Sequence, residues 1–214
     1  MISKTLAGSV VGAILLLFSG VASAAVITNI SESAESVSPL LPGLSVPEVT
    51  LKDTQGQPVA LKKLLANKPT VLVVYRGGWC PYCSKQLKNI QNIEQQIAEM
   101  GLQIIAVSPD SPAKLAQSTI SSPTYQLLSD DQLALAQAMG LAFFLDDKTA
   151  KVYRNKLGVN FVGLDGEQKV ALPVPAVFVL DTQGMVHFQY ANPNYRVRLS
   201  EPLLLAAAKQ VMNH

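Results

Sequence analysis

Cys80 and Cys83 are the only two cysteines of the 214-residue chain, and they lie in the sequence Trp79-Cys80-Pro81-Tyr82-Cys83. Two thiols at this spacing can close a disulfide and open it again, which is thiol redox chemistry. On a helix, side chains three positions apart have Cβ atoms about 5–6 Å apart. A disulfide needs about 3.8 Å, so a slightly tightened first turn allows the bond. The pair therefore predicts a site that cycles between dithiol and disulfide.

Two other uses of the cysteine pair are less well supported. A structural disulfide that closes a loop of two intervening residues removes little entropy from the unfolded chain. A zinc site needs four protein ligands, or three where the metal is catalytic. Only His187 and His214 can join the cysteines, and His214 is the C-terminal residue. We therefore expect neither a metal nor another cofactor.

A strand before the pair and a helix after it position the two thiols. Residues 69–75 form an apolar, β-branched run that predicts a buried strand. Ser84 to Met100 has helical periodicity, and Gly101 suits its C-terminal cap. The apolar positions of this helix are Leu87, Ile90, Ile93, Ile97 and Met100. Backbone N–H groups and the helix dipole stabilise a thiolate at the start of such a helix.

The rest of the chain alternates strands and helices, which predicts an α/β unit with parallel strands. Further strands are expected over 102–107, 125–128 and 173–181, and the last of these is entered through two prolines. Residues 185–190 alternate as its hairpin partner, and a final helix starts at Ser200 or Glu201. Between 143 and 172 the pattern predicts only a helix over 148–157 and a turn over 164–167.

Composition excludes several classes of protein. Hydrophobic residues make up 49% of the chain and charged residues 15%, which argues against disorder. The net charge is only +2, and the sequence contains no dense basic block, so we expect no nucleic-acid partner.

The first 24 residues predict a signal peptide, because Lys4 precedes an apolar run and Ala22-Ser23-Ala24 suits a cleavage site. The apolar run is nearly long enough for an uncleaved membrane anchor, but Gly20 and the small-residue end favour cleavage before Ala25. We therefore expect a periplasmic or secreted protein with no stable membrane insertion. Residues 25–44 are predicted to be an N-terminal arm and residues 45–212 one folded domain.

Four segments resemble a known family. They are Val-Val-Tyr-Arg-Gly-Gly-Trp-Cys-Pro-Tyr-Cys (73–83), Leu-Leu-Ser-Asp-Asp (127–131), Pro-Val-Pro-Ala-Val-Phe-Val-Leu-Asp (173–181) and Ala-Asn-Pro-Asn-Tyr-Arg-Val-Arg-Leu-Ser (191–200). Over about residues 40–210 the chain resembles the thioredoxin superfamily, and within it the peroxiredoxin-like alkyl hydroperoxide reductase/thiol-specific antioxidant (AhpC/TSA) branch. The resemblance implies an α/β, thioredoxin-like fold with a central mixed sheet and helices on both faces. It also implies an antioxidant oxidoreductase.

The chain departs from the usual peroxiredoxin pattern at three places. In the family frame Cys83 falls at the peroxidatic position, Cys80 replaces a Thr or Ser, and Arg76 replaces a proline. The family's usual arginine before the late strand is absent from residues 174–176. The hypothesis is that Arg76 supplies the missing cation.

The resemblance leaves two mechanisms open. In thiol–disulfide exchange of the thioredoxin or glutaredoxin type, Cys80 is the more exposed sulfur and attacks a protein disulfide, and Cys83 resolves the mixed disulfide. Trp79 is then a contact surface, and Pro175 pairs its backbone with the incoming peptide. The resemblance makes Val174-Pro175 a candidate for a cis peptide bond, and the alternative is that the two prolines only start a strand. In a peroxidase, Cys83 instead becomes a sulfenic acid and condenses with Cys80.

Both mechanisms end in a Cys80–Cys83 disulfide, which needs a thiol reductant such as a thioredoxin-like protein or a membrane electron donor. A third alternative is a non-catalytic binding domain that has kept the fold. Several cations are further candidates for lowering the pKa of a thiol: Lys85, Lys88, Arg154, Arg196 and Arg198.

Overall fold

The computed structural model describes residues 29–118, 125–157 and 169–211. The predicted signal peptide and the predicted turn over 164–167 lie outside these residues. The described strands are β1 Thr50–Lys52, β2 Pro58–Ala60, β3 Thr70–Val74, β4 Gln103–Ser108, β5 Tyr125–Ser129, β6 Ala142–Phe144, β7 Ala171–Pro173, β8 Ala176–Leu180 and β9 Val186–Ala191. The described α-helices are α1 Leu61–Leu65, α2 Pro81–Asn92, α3 Glu94–Glu99, α4 Pro112–Leu115, α5 Ala134–Ala138, α6 Asp147–Leu157 and α7 Glu201–Val211.

A seven-stranded mixed sheet forms the centre of the fold, in the order β2-β1-β5-β4-β3-β8-β9. β3, β4 and β5 are parallel, whereas the remaining pairs are antiparallel. All five residues of β3 are buried, because β4 and β8 flank the strand and both of its faces are covered. The strand that leads to the cysteines is therefore a central, buried strand, and the prediction of a buried strand is confirmed.

Helices cover both faces of this sheet. Because side chains alternate along a strand, Val71 and Val73 pack in one core cluster and Leu72 and Val74 in another. The first cluster includes residues of α2, α3, α4 and α7, and the second includes residues of α1 and α5. The predicted architecture, a thioredoxin-like mixed sheet with helices on both faces, is confirmed.

The helix after the cysteines differs from the prediction at its start and in its middle. It begins at Pro81 rather than Ser84, and it is interrupted at Ile93, whose φ of −107° and ψ of 8° are not helical. The predicted apolar face is nevertheless buried, because Leu87, Ile90 and Ile97 all lie in the core cluster of that face. One predicted helix is therefore two helices that share a single buried face.

The strand predicted over 173–181 is split at its two prolines. β7 ends at Pro173 and pairs with β6 in a separate two-stranded sheet, while β8 begins at Ala176 and pairs with β3. Every peptide bond among the described residues is trans, and this includes the bond between Val174 and Pro175, which the sequence left open. The prolines lie where the chain passes from one sheet to the other, a place that tolerates residues without an N–H.

The described part of the predicted N-terminal arm packs against the domain. Ser31 forms a parallel bridge with Phe143. Further along, the backbone N–H of Leu40 donates to the carbonyl of Met139 at 3.0 Å, and that of Gly43 donates to Val186 at 2.8 Å. These contacts hold residues 31–43 beside the two-stranded sheet and the edge strand β9.

Candidate active site

The two cysteines lie at the start of α2. Cys80 is the N-terminal cap, with φ −88° and ψ 112°, and Pro81 occupies the first helical position, where its fixed φ is favourable and its missing N–H is not needed. The backbone N–H groups of Cys83 and Ser84 both donate to the carbonyl of Cys80 at 3.0 Å. The first turn therefore places both thiols on the same side of the helix start.

A tight loop joins β3 to this helix, and Asp110 fixes its shape. Gly78 donates its backbone N–H to Oδ2 of Asp110 at 2.6 Å, and Cys80 donates to the carbonyl of Gly77 at 3.1 Å. Gly77 has a φ of +139°, and a Cβ there would overlap the indole of Trp79 and lie 2.9 Å from Asp110 Oδ1. Only glycine fits this position without strain.

Asp110 was not among the candidate site residues selected from the sequence. A usable signal was present, since Asp110 follows β4, the parallel neighbour of β3, and the carboxyl ends of parallel strands meet at one edge of the sheet. Burial raises the pKa of Asp110, although hydrogen bonds from the Gly78 N–H and the Ser108 hydroxyl act to lower it.

Both thiols are reduced and buried. Cys80 is 1% exposed and Cys83 is 0% exposed, so the expected difference in exposure between the two cysteines is very small. The reason is that both sulfurs belong to the core cluster of this face, and Trp79 and Tyr195 pack against that cluster.

Hydrogen bonding and nearby cations favour a thiolate at Cys80. The side-chain hydrogen bond from Cys83 lowers the pKa of Cys80 to about 6, and the backbone N–H of Cys83 and the positive charges of Arg76 and Arg198 act in the same direction. Burial opposes these effects because it disfavours the charged form.

The environment of Cys83 raises the pKa of its thiol. Its hydrogen bond to Cys80, burial and the negative charge of Cys80 raise the pKa of Cys83, while Arg198 and the backbone N–H of Arg76 act to lower it. The two thiols therefore titrate as a pair. The directions of the two pKa shifts favour a negative charge on Cys80 and a proton on Cys83.

Arg198 contacts the pair from a distant part of the chain. Its Nη2 lies 3.3 Å from Sγ of Cys83, and its Nη1 donates to Oε1 of Gln86 at 2.9 Å. Arg198 lies in the segment between β9 and α7, which turns through hydrogen bonds at Asn192 and Asn194. Residues 174–176 supply no cation, as the sequence indicated, and Arg198 approaches the site from this other segment.

Arg76 is buried among aromatic rings next to the thiols. It is 3% exposed, and its Cζ lies 5.3, 5.4 and 4.3 Å from the ring centroids of Trp79, Tyr153 and Tyr195. Its Nη2 donates to the Tyr153 hydroxyl at 3.0 Å. Sequence reasoning selected Arg76 and Trp79 correctly as neighbours of the pair, but it did not identify the two tyrosines.

Pro175 lines a cavity together with Arg76. Its backbone, however, is not available to pair with a substrate peptide. The carbonyl of Pro175 accepts a hydrogen bond from the Asn192 N–H at 3.3 Å, and the Val174 N–H donates to Leu141 at 2.9 Å. The backbone that was expected to pair with a substrate peptide is therefore already paired within the protein.

The groups that shift the pKa values of the two thiols do not include Lys85, Lys88 or Arg196. Lys85 and Lys88 are exposed on α2, and neither contributes to the pKa shift of Cys80. Arg196 is exposed and lies over the ring of Tyr195, with Cζ 5.6 Å from the centroid.

In the described part of the chain, no group of three or more His, Cys, Asp and Glu side chains is placed to hold a metal ion. No helix within those residues combines the length and the apolar character that are needed to cross a membrane.

The AhpC/TSA family model matches residues 42–189. Among curated relatives, chloroplastic peroxiredoxin Q of Sedum lineare is 27% identical over 150 residues, which are 70% of this chain and 68% of the relative. Chloroplastic peroxiredoxin Q of Arabidopsis thaliana is 32% identical over 152 residues, which are 70% of this chain and 59% of the relative.

Solved structures show the same fold. Reduced Prx3 of Vibrio vulnificus, in complex with hydrogen peroxide, superposes with a TM-score of 0.62 and 20% identity over 82% of this chain and 99% of that chain. Peroxidoxin BcpB of Mycobacterium tuberculosis superposes with a TM-score of 0.59 and 23% identity over 79% and 97% of the two chains. The chain therefore belongs to the AhpC/TSA family and is a peroxiredoxin-like, thiol-dependent oxidoreductase of the thioredoxin superfamily.

Proposed function

We propose that the protein reduces peroxides, with Cys80 as the attacking sulfur and Cys83 as the resolving sulfur. The observation on which this depends is the division of charge within the pair, since the pKa of Cys80 is lowered to about 6 while that of Cys83 is raised. The thiolate is the nucleophile, so the sulfur that is ionised at neutral pH attacks first.

In the first step the Cys80 thiolate attacks one oxygen of a peroxide and the O–O bond breaks. Cys80 is oxidised to a sulfenic acid, and the other oxygen leaves with a proton as an alcohol or as water. Arg76 and Arg198 lie close enough to stabilise the thiolate electrostatically, since both lower the pKa of Cys80.

In the second step Cys83 becomes the nucleophile. Once Cys80 is oxidised, its negative charge no longer raises the pKa of Cys83, whereas Arg198 and the backbone N–H of Arg76 still lower it. The Cys83 thiolate then attacks the sulfenic sulfur, a disulfide forms, and the sulfenic oxygen leaves with a proton as water. Two thiols of a reductant restore the dithiol and are themselves oxidised to a disulfide.

Burial favours a small substrate over a protein disulfide. Cys80 is 1% exposed, so a protein disulfide would reach its sulfur only after the surrounding side chains move. The backbone groups of Val174 and Pro175, the expected docking edge for a substrate peptide, are bonded to Leu141 and Asn192.

A second assignment places the first attack at Cys83. One observation favours it: the Arg198 guanidinium lies 3.3 Å from Sγ of Cys83, the sulfur at the family's peroxidatic position. The two assignments give the same final disulfide and differ in which cysteine becomes the sulfenic acid.

The proposal also includes export of the protein from the cytoplasm. The predicted signal peptide over residues 1–24 supports a periplasmic or secreted protein, in which the disulfide form persists. The reductant is then a thioredoxin-like protein or a membrane electron donor that works outside the cytoplasm.

The test is stopped-flow reduction of hydrogen peroxide by the reduced chain lacking residues 1–24, with insulin-disulfide reduction measured on the same sample. The proposal predicts single-turnover oxidation by peroxide that is at least a hundredfold faster than that of free cysteine, with slow insulin reduction. A peroxide rate no faster than free cysteine, together with rapid insulin reduction, would show that the protein is a disulfide exchange enzyme instead.

A further inference from the structure

The loop that carries Cys80 is held on both sides of Gly78. The backbone N–H of Gly78 donates to Oδ2 of Asp110 at 2.6 Å, and its carbonyl accepts a hydrogen bond from the Ser84 hydroxyl at 3.1 Å. The same hydroxyl lies 3.3 Å from the carbonyl of Cys80. Asp110 follows β4 and Ser84 lies near the start of α2. The loop is therefore fastened to the sheet on one side and to the helix on the other.

The ends of two neighbouring strands fix Asp110 itself. Asp110 is 6% exposed, and its Oδ2 also accepts a hydrogen bond from the Ser108 hydroxyl at 3.3 Å. Its backbone carbonyl accepts one from the Ser129 hydroxyl at 2.7 Å. Ser108 is the last residue of β4 and Ser129 the last of β5, which is its parallel neighbour. The carboxylate is therefore a fixed acceptor, and its short bond to Gly78 sets the position of the loop relative to the sheet.

The position of the loop in turn determines where the Cys80 sulfur lies. The backbone N–H of Cys80 donates to the Gly77 carbonyl at 3.1 Å, and Cys80 is the N-terminal cap of α2. Its thiolate is stabilised by a hydrogen bond from Cys83 and by the charges of Arg76 and Arg198. Hydrogen bonds weaken steeply when their distance and angle are lost. A displaced loop would therefore leave the Cys80 thiolate with less stabilisation.

We propose that Asp110 is a positioning residue for Cys80: by accepting the Gly78 N–H, its carboxylate holds the loop so that the Cys80 sulfur keeps its contact with Cys83. Asp110 is not among the groups whose hydrogen bond or charge shifts the pKa of Cys80. The role therefore requires an acceptor at this position rather than a negative charge. It rests on the geometry of the loop, and only its effect on peroxide reduction rests on the proposed function.

Two substitutions of Asp110 separate the acceptor from the charge. Alkylation of Cys80 by iodoacetamide is followed against pH in the reduced protein without peroxide, and the adduct is quantified by mass spectrometry. Asp110→Ala removes the acceptor, so the midpoint should rise by about one pH unit or more, because the thiolate loses hydrogen bonds that favour it. Asp110→Asn keeps an amide oxygen that can accept the Gly78 N–H, and its midpoint should rise by less than about half as much.

Asp130 provides the matched control, because it is a second buried aspartate that follows a strand and accepts backbone N–H groups. It is 4% exposed, and its carboxylate accepts from Leu135 and Ala136 at 3.1 and 2.9 Å. Asp130→Ala should lower the stability to urea but keep the midpoint of the unmodified protein. Equal shifts in the Asp110→Ala and Asp130→Ala variants, equal shifts in Asp110→Ala and Asp110→Asn, or no shift in Asp110→Ala would overturn the inference.

The other side of the loop gives a second variant in case Asp110→Ala does not fold. Ser84→Ala removes the hydrogen bond to the Gly78 carbonyl and leaves Asp110 in place. Its midpoint should also rise, because the loop is then fastened only to the sheet. An unchanged midpoint in Ser84→Ala would mean that the fixed position of Gly78 does not control Cys80, and it would overturn the inference.

Peroxide kinetics distinguish the failure of this inference from the failure of the proposed function. With the midpoint moved from about 6 to about 7, Asp110→Ala should consume hydrogen peroxide about fivefold more slowly at pH 6, because less of Cys80 is thiolate. A raised midpoint, in a protein whose unmodified form reacts with peroxide no faster than free cysteine, would refute the peroxidase function and keep the positioning role. Rapid peroxide reduction with no shift of the midpoint in Asp110→Ala would refute the positioning role alone.

Discussion

The guanidinium Nη2 of Arg198 lies 3.3 Å from Sγ of Cys83, although 115 positions separate the two residues in the chain. The same guanidinium donates to Gln86, one helical turn after Cys83 on α2. The segment between β9 and α7 is thereby fastened to the helix that bears the cysteines. This contact places a fixed positive charge at the sulfur that must become a thiolate in the second step of the proposed cycle.

Replacement of Arg198 should slow the formation of the disulfide. A hydrogen bond to a charged group contributes about 1.5–3 kcal/mol, so Arg198→Gln should slow the condensation of Cys83 with the Cys80 sulfenic acid by about tenfold or more. Rapid-quench mass spectrometry would follow the sulfenic acid and the disulfide separately. Lys85→Gln removes an exposed cation from the same helix, and it should leave both rates unchanged. An effect of the same size in both variants would show that general charge, rather than the contact to Cys83, is responsible.

The reactivity of Cys80 should depend on pH with a midpoint near 6. The thiolate is the reactive form, and the pKa of Cys80 is lowered to about 6 by the hydrogen bond from Cys83 and by Arg76 and Arg198. Alkylation by iodoacetamide should therefore accelerate as the pH rises from 5 to 7 and then level off. The denatured protein is the control, because its thiols should titrate near the ordinary value of about 8.5. A native midpoint near 8.5 would contradict the proposed charge state.

Gly77 should tolerate no side chain. Its φ of +139° is unfavourable for other residues, and a Cβ would collide with Trp79 and crowd Asp110. Gly77→Ala should lower the free energy of unfolding by about 1–3 kcal/mol, measured by urea denaturation. Gly56→Ala is the matched control, since Gly56 also has a positive φ of +80° but has no atom within 4 Å of its Cβ position. Equal losses in the two variants would mean that backbone strain, and not the packing of the loop, determines the cost.

Local patterns in the sequence were sufficient to predict the central framework. The β-branched run became β3 and the apolar positions of the following helix became its buried face, although that helix begins at Pro81 rather than at Ser84. These features depend on neighbours within a few residues, for which strand and helix periodicities are informative. The three-residue strands β6 and β7 are too short to show a periodicity, and they pair across a wide sequence separation.

The contacts around the two thiols join residues that lie far apart in the sequence. Helix and strand periodicities do not predict such contacts. Tyr153 reaches Arg76 across 77 positions, and Asp110 reaches Gly78 across 32. The burial of Cys80 has the same origin, since Trp79 and Tyr195 pack against the cluster that contains it. The sequence selected the reactive pair and named Arg76 and Arg198 among several candidate cations, whereas the fold showed that these two lower the pKa of Cys80.

The most direct test of the account is to locate the sulfenic acid after a single addition of hydrogen peroxide. Cys83→Ser and Cys80→Ser proteins are oxidised in the presence of dimedone, and the adduct is mapped by mass spectrometry while peroxide consumption is recorded. We predict a dimedone adduct on Cys80 in Cys83→Ser, with a rate within about tenfold of the unmodified protein, and a large loss of rate in Cys80→Ser. Rapid formation of the adduct on Cys83 in Cys80→Ser, with little reaction of Cys80 in Cys83→Ser, would contradict the proposed order.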